Sequence, residues 1–153
     1  MRPDAVAPPL HRCSVLVVDD DTETRELLRV ALAGDGYDVA AVANGRDALD
    51  HLRSHADTCI VLLDLMLPVM GGAQFRRAQL HDRSLAWIPV VVVSGSIDGA
   101  ARARELGARS FVAKPVDLDR LRAALRRIGC CKAKPRREQR GETVELARPS
   151  SAS

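Results

Sequence analysis

The chain has 153 residues, 46% of them hydrophobic and 28% charged, which suits one soluble domain with a buried core. No apolar run reaches the roughly 18 residues of a membrane span, and residues 1–11, with three prolines and no apolar stretch, offer no secretory signal. The formal charge of +3 is uneven: residues 129–153 hold six Lys or Arg against three Glu, leaving 17 basic and 17 acidic residues elsewhere, so the basic balance belongs to the tail and gives no argument for a nucleic-acid-binding domain.

Residues 1–13 read as a flexible leader. A first apolar run, Val15-Leu16-Val17-Val18, predicts a strand near 14–18 and ends in Asp19-Asp20-Asp21. A helix follows near 22–33, with Leu27, Leu28, Ala31 and Leu32 on one face and Gly34 where a C-cap belongs. Asp21 is the expected N-cap of that helix, since carboxylates suit helix N-termini. A strand near 37–42 leads to Asn44-Gly45, which opens a helix over 45–55. The third strand, near 59–63, ends at Asp64 and the loop through Leu67, Pro68 and Gly72; a helix over 72–81 follows. The fourth strand, Val90 to Val93 within 89–93, ends in Ser94-Gly95-Ser96, with Ser96 the expected cap of a helix over 97–106. The fifth, near 109–112, contains Phe111 and ends at Lys114-Pro115; Leu118, Leu121, Leu125 and Ile128 then mark a helix over 117–128, closed by Gly129. Beyond it the pattern stops: 130–153 reads as a basic, disordered tail. The chain thus divides into leader 1–13, one domain over 14–129, and tail 130–153. Cys13, Cys59, Cys130 and Cys131 lack metal-ligand spacing and read as reduced thiols of a cytoplasmic protein.

Five strand–helix units with short connections predict an α/β fold with a doubly wound parallel sheet and helices on both faces. Continuous apolar strands are buried ones, and ligands sit at their carboxyl ends. One crevice would then collect the carboxylates of Asp19, Asp20 and Asp64, the Ser94 hydroxyl and the Lys114 amine. A carboxylate can attack a phosphoryl group, and the charge on both partners makes three demands: a hard divalent cation, a fixed ammonium and a neutral hydrogen-bond donor. Taken singly, each residue has an ordinary reading: an acidic run caps a helix, a lysine is solvated, a serine caps, Phe111 fills the core. Taken together they come in order, each at a strand end.

This set, over residues 14–128, resembles the receiver domain of two-component response regulators of the chemotaxis-regulator type, standing alone. The resemblance implies a flavodoxin-like five-stranded sheet in the order 2-1-3-4-5 with five helices. It implies that Asp64 is the phosphoacceptor. Magnesium (or manganese) would be held by Asp20, Asp64 and the backbone carbonyl of Met66, with Asp19 acting through water; magnesium takes about six oxygens at roughly 2.1 Å. Lys114 would contact the phosphoryl group or, at rest, Asp64, with a cis bond to Pro115. Ser94 would register phosphorylation and let Phe111, the aromatic switch, turn inward, with Gly95 small for phosphate access. Met66 and Ser96 stand where family residues flank the hydrolytic water. Gly71 departs from the family, which often has Asp there. The implied activity is phosphorelay signal transduction by a phosphoprotein that is not an enzyme beyond magnesium-dependent self-phosphorylation and autodephosphorylation. A sensor histidine kinase or histidine phosphotransfer protein would donate. An output protein, or a second copy forming a homodimer, would bind the face of helix four, strand five and helix five. No membrane partner is expected.

Rival chemistries fit less well. A haloacid dehalogenase-type phosphatase needs Asp-x-Asp-x-Thr/Val, and Asp19-Asp20-Asp21-Thr22-Glu23 puts Glu23 in the last place. No Gly-x-Gly-x-x-Gly follows a strand, and no Gly-x-Ser-x-Gly is present. His11, His51, His55 and His81 lie away from the strand ends. The serious alternative is the receiver part of a DNA-binding transcriptional regulator, or weak, salt-dependent nucleic-acid contact by Lys132 to Arg140.

Overall fold

The computed structural model describes residues 13–129. Ten elements alternate: β1 (Ser14–Val18), α1 (Thr22–Gly34), β2 (Asp38–Val42), α2 (Gly45–Ser54), β3 (Ile60–Leu63), α3 (Gly72–His81), β4 (Val90–Ser94), α4 (Gly99–Glu105), β5 (Ser110–Ala113) and α5 (Leu118–Ile128). All strand pairs are parallel, in the order β2-β1-β3-β4-β5, with Val17 opposite Leu62 and Val93 opposite Val112. The expected sheet is the one found.

The apolar strands serve two cores because neighbouring side chains point to opposite faces. Val15, Val17, Ile60, Leu62, Val91 and Val93 pack under α1 and α5, against Leu28, Leu32, Leu121 and Leu125. Leu16, Val18, Val61, Leu63, Val90 and Val92 pack under α2, α3 and α4, against Leu49, Leu52, Phe75 and Ala103. β1, β3 and β4, inside the sheet, are therefore apolar throughout, and the strand order reverses between β1 and β3. That switch point opens the crevice at their carboxyl ends.

Several boundaries differ from the sequence reading. Gly34 is the last residue of α1 rather than its cap; Gly36, at φ +99°, takes the left-handed place, with Gly36 N–H donating to the Ala33 carbonyl and Tyr37 N–H to that of Leu32. Leu27 is not core: the α1 stripe that packs is Leu28 and Leu32, and Leu27 is about half exposed. β4 runs on to Ser94, and α4 starts two residues later than expected. Its N-cap position is Asp98 rather than Ser96, and no side chain caps it. Asn44 and Asp21 cap α2 and α1 as expected, accepting from the backbone N–H groups of Asp47 and Thr24. Cys13 and Cys59 are buried in the core. The expectations for 1–12 and 130–153, including Cys130 and Cys131, lie outside the described residues. No described helix is long and apolar enough to cross a membrane.

Candidate functional site

β1 ends in Asp19, and the backbone holds that carboxylate still. Its Oδ1 accepts from the Asp21 N–H at 2.9 Å, and its carbonyl accepts from Arg25 Nη1 at 2.8 Å. Asp19 and, just past β3, Asp64 are both buried, and Asp20 between them faces solvent. One carboxylate oxygen from each of the three lies within 4.8 Å of the others.

Lys114, one residue past β5, closes the group from the other side. Its Nζ stands 2.8 Å from Asp19 Oδ2 and 3.1 Å from Asp64 Oδ2. The Lys114–Pro115 bond is cis. Burial works against the Lys114 ammonium, but its hydrogen bonds to Asp19 and Asp64 outweigh this and carry its pKa above the ordinary lysine value. Burial raises the Asp19 carboxyl, and the Lys114 and Asp21 hydrogen bonds offset only part of that rise. Three carboxylates against one ammonium leave a formal charge of −2. An all-oxygen set with that charge fits a hard divalent cation.

The loop after β3 brings Met66 beside the same carboxylate: its N–H donates to Asp64 Oδ1 at 3.3 Å, and its side chain is mostly exposed. Gly72 is what allows this loop. A Cβ there would lie 2.5 Å from the Asp64 carbonyl oxygen and 2.7 Å from Leu65 Cα, so α3 can start against the Asp64 backbone only from a glycine. The turn itself sits at Val69, with φ +67°. Gly71, at the N-cap of α3, makes no side-chain cap bond.

Ser94 is the last residue of β4 and is buried. Its carbonyl accepts from the Lys114 N–H at 3.0 Å, and its Oγ accepts from the Ser96 N–H at 3.2 Å. The Ser96 peptide is thus held by Ser94, whereas the sequence reading had Ser96 capping α4. A Cβ on Gly95 would meet only Lys114 Cβ, at 3.6 Å, so packing does not demand the glycine. Phe111 is half-buried, with its ring edge against the head of α4: a Cβ on Gly99 would stand 2.7 Å from Phe111 Cε1 and 3.6 Å from Ser94 Cβ. Gly99 therefore gives Phe111 its present seat.

The structure gathers Asp19, Asp20, Asp64 and Lys114 at one point and sets Ser94 and Phe111 on the adjoining strands. Sequence reasoning missed three contributors: Gly99, the Arg25 bond to the Asp19 carbonyl, and the direct Asp19–Lys114 pair. A glycine heading a helix was the available signal for the first. The other two carried none.

The family model for the response regulator receiver domain matches residues 15–126. The chain belongs to that family, a family of phosphoacceptor signalling domains rather than enzymes. The DNA-binding response regulator MtrA of Mycobacterium tuberculosis (strain ATCC 25618 / H37Rv) is 36% identical over 122 residues, covering 76% of this chain and 52% of MtrA. The transcriptional regulatory protein GltR of Pseudomonas aeruginosa is 37% identical over 120 residues, covering 74% of this chain and 49% of GltR. The chain therefore spans about half the length of these relatives. Among solved structures, a putative response regulator of Chloroflexus aurantiacus superposes with TM-score 0.73 at 26% identity, covering 77% of this chain and 98% of that one. The chemotaxis response regulator CheY4 of Vibrio cholerae gives TM-score 0.70 at 26% identity, over 77% and 99%.

Proposed function

We propose that this receiver domain takes a phosphoryl group on Asp64 from a sensor histidine kinase or a histidine phosphotransfer protein, in the cytoplasm. The observation that carries the reading is the Asp64 carboxylate at the end of β3, in reach of Lys114 and of two further carboxylates. In the reaction an Asp64 oxygen bonds to phosphorus as the N–P bond of the donor's phosphohistidine breaks. The Lys114 ammonium offsets charge on the transferred oxygens, and the Ser94 hydroxyl donates to one of them. Magnesium or manganese would be held by Asp20, Asp64 and the Met66 carbonyl, with Asp19 bonded through water; when bound it supplies the charge neutralisation that one ammonium cannot. Output then passes by protein contact through the α4–β5–α5 face, where a second copy of the chain is one candidate occupant.

The relatives' lengths favour a second reading: the chain serves as the receiver part of a DNA-binding regulator, since MtrA is a DNA-binding response regulator, GltR is a transcriptional regulatory protein, and the match covers half of each. That role needs the same phosphoacceptor.

The test is intact mass after incubation with acetyl phosphate, with and without magnesium. Wild type should gain one phosphoryl group only with the ion, and Asp64→Ala should gain none. A full adduct on Asp64→Ala would refute the assignment.

A further inference from the structure

The one buried cation outside the site is Arg76 of α3, among the described residues. It is 7% exposed, and Gln79, one turn on, is 0% exposed. No acid pairs with the guanidinium among the described residues. Its partners are neutral: Nε donates to the Leu106 carbonyl at 2.9 Å, Nη2 to the Gly107 carbonyl at 3.1 Å, and Nη1 to Gln79 Oε1 at 2.8 Å. Gln79 Nε2 in turn donates to the carbonyls of Leu85 and Ile88, at 3.0 and 2.9 Å, which fixes the chain entering β4.

Leu106 is the C-cap of α4 and Gly107 follows it. Gly107, at φ +70°, closes the helix, with its N–H on the Arg104 carbonyl and the Ala108 N–H on that of Ala103. Backbone and guanidinium together therefore satisfy this end of the helix. Burying a charge without an acid costs free energy unless hydrogen bonds replace its water, and the rigid fork of arginine is suited to several carbonyls at once.

The other end of α4 is held differently. Asp98 makes no side-chain cap bond, Ile97 is fully exposed, and glycines stand at 95 and 99. The loop is tied to β4 through the bond from the Ser96 N–H to Ser94 Oγ, and Gly99 leans on the Phe111 ring. On the phosphoacceptor reading proposed above, Ser94 is the group that would turn toward a phosphoryl group on Asp64. Turning it removes the acceptor from the Ser96 N–H.

We propose that α4 is a lever pinned at its C-terminal end by the Arg76 guanidinium, so that phosphorylation releases and moves the 95–102 end while 103–108 stays in place. Arg76 is then a positioning residue that decides where the signal appears on α4. The inference rests on phosphorylation of Asp64 and adds where the response goes.

Amide hydrogen exchange by mass spectrometry on the full chain, with and without acetyl phosphate and magnesium, tests it. In wild type, exchange over 95–102 should change on phosphorylation and that over 103–108 should not. In Arg76→Met, exchange over 103–108 should quicken about tenfold, the effect of losing the hydrogen bonds that hold it. The phosphorylation response should then spread into that segment, with the phosphoryl adduct as in wild type. A purely structural arginine would lower the melting temperature and leave the response confined to 95–102, which overturns the lever. So does a wild-type response as large over 103–108 as over 95–102, a result that needs no variant to fold. Intact mass separates the failures: no adduct on wild type sinks the phosphoacceptor reading and the lever with it, whereas an adduct with the wrong exchange pattern sinks the lever alone.

Discussion

Lys114 is shared at rest, and Asp19 holds it at least as closely as Asp64 does, at 2.8 against 3.1 Å. A phosphoryl group on Asp64 must therefore draw the ammonium away from a buried carboxylate that needs it. On the phosphoacceptor reading, Met66 and Ser96 are the residues expected to set how long the phosphoryl group lasts. Met66 stands mostly exposed beside Asp64, and Ser96 is tied to Ser94 by its backbone. Neither offers an amide or a carboxylate to aim a water at phosphorus. Met66→Asn/Ser96→Glu should shorten the life of phosphorylated Asp64 about tenfold, or roughly 1.4 kcal/mol of barrier; an unchanged or slower decay, followed by intact mass, would contradict this. Val69 shows a cost that the loop carries. The Met70 N–H donates to the Pro68 carbonyl at 2.6 Å around Val69 at φ +67°, a γ-turn of the strained hand on a β-branched residue. The Val69 side chain is 77% exposed, so its loss forfeits little packing. Val69→Gly should stabilise the protein by about 0.5–1 kcal/mol, the left-handed strain less the added chain entropy of glycine. Chemical denaturation reads this out, and a loss of stability would show that the turn is not strained.

At the scale of one element, α2 ends in a pair of imidazoles. The rings of His51 and His55 stack with centroids 4.0 Å apart and planes 8° apart, and His55 Nδ1 lies 3.0 Å from the His51 carbonyl. Burial lowers the His51 pKa, the His55 ring lowers it further, and the Asp57 carboxylate opposes both without prevailing. The sign follows from linkage. A histidine whose folded pKa lies below its unfolded value binds more protons when unfolded. Its contribution is whole above about pH 6.5 and is lost as the pH falls through that value toward the folded one. Wild type should lose stability between pH 7.5 and 5.5, and His51→Asn should lose less over the same interval. Equal losses in the two proteins, measured by urea unfolding, would remove His51 as the cause. α3 teaches a related lesson. It buries Phe75, Arg76 and Gln79 and leaves Leu80 about half exposed. A pattern of apolar residues cannot announce a helix that seats a guanidinium against another helix's carbonyls, because the partners lie 30 and 31 residues away.

For the whole molecule, the sheet was legible because β1, β3 and β4 are covered on both faces and so read as unbroken apolar runs. The clustering of Asp19, Asp20, Asp64 and Lys114 was legible because these groups stand at the ends of such runs. What stayed hidden depends on distances across the fold: the sharing of Lys114 between Asp19 and Asp64, the seat that Gly99 leaves for Phe111, and the late start of α4 once Ser94 had joined β4. Charge along the α4–β5–α5 segment bears on assembly. Leaving out Lys114, residues 99–129 carry seven arginines (102, 104, 109, 120, 122, 126 and 127) against Glu105, Asp117 and Asp119, a net charge of +4. Arg122 is spent on Asp35 at 2.7 Å and Arg120 lies near Asp117, while Arg102, Arg104, Arg109, Arg126 and Arg127 form no ion pair among the described residues. A two-fold interface sets a surface against its own copy, so pairing here would oppose like charges with too few acids to answer them. Such juxtaposition costs several kcal/mol and is felt most at low salt. The phosphorylated chain should therefore remain monomeric by light scattering at low ionic strength. Mixing it with Arg104→Glu/Arg109→Glu should give more association than either protein alone. A phosphorylation-induced dimer of wild type, persisting at low salt and mapped to this face, would show that apolar contact outweighs the repulsion and that a second copy is the occupant after all.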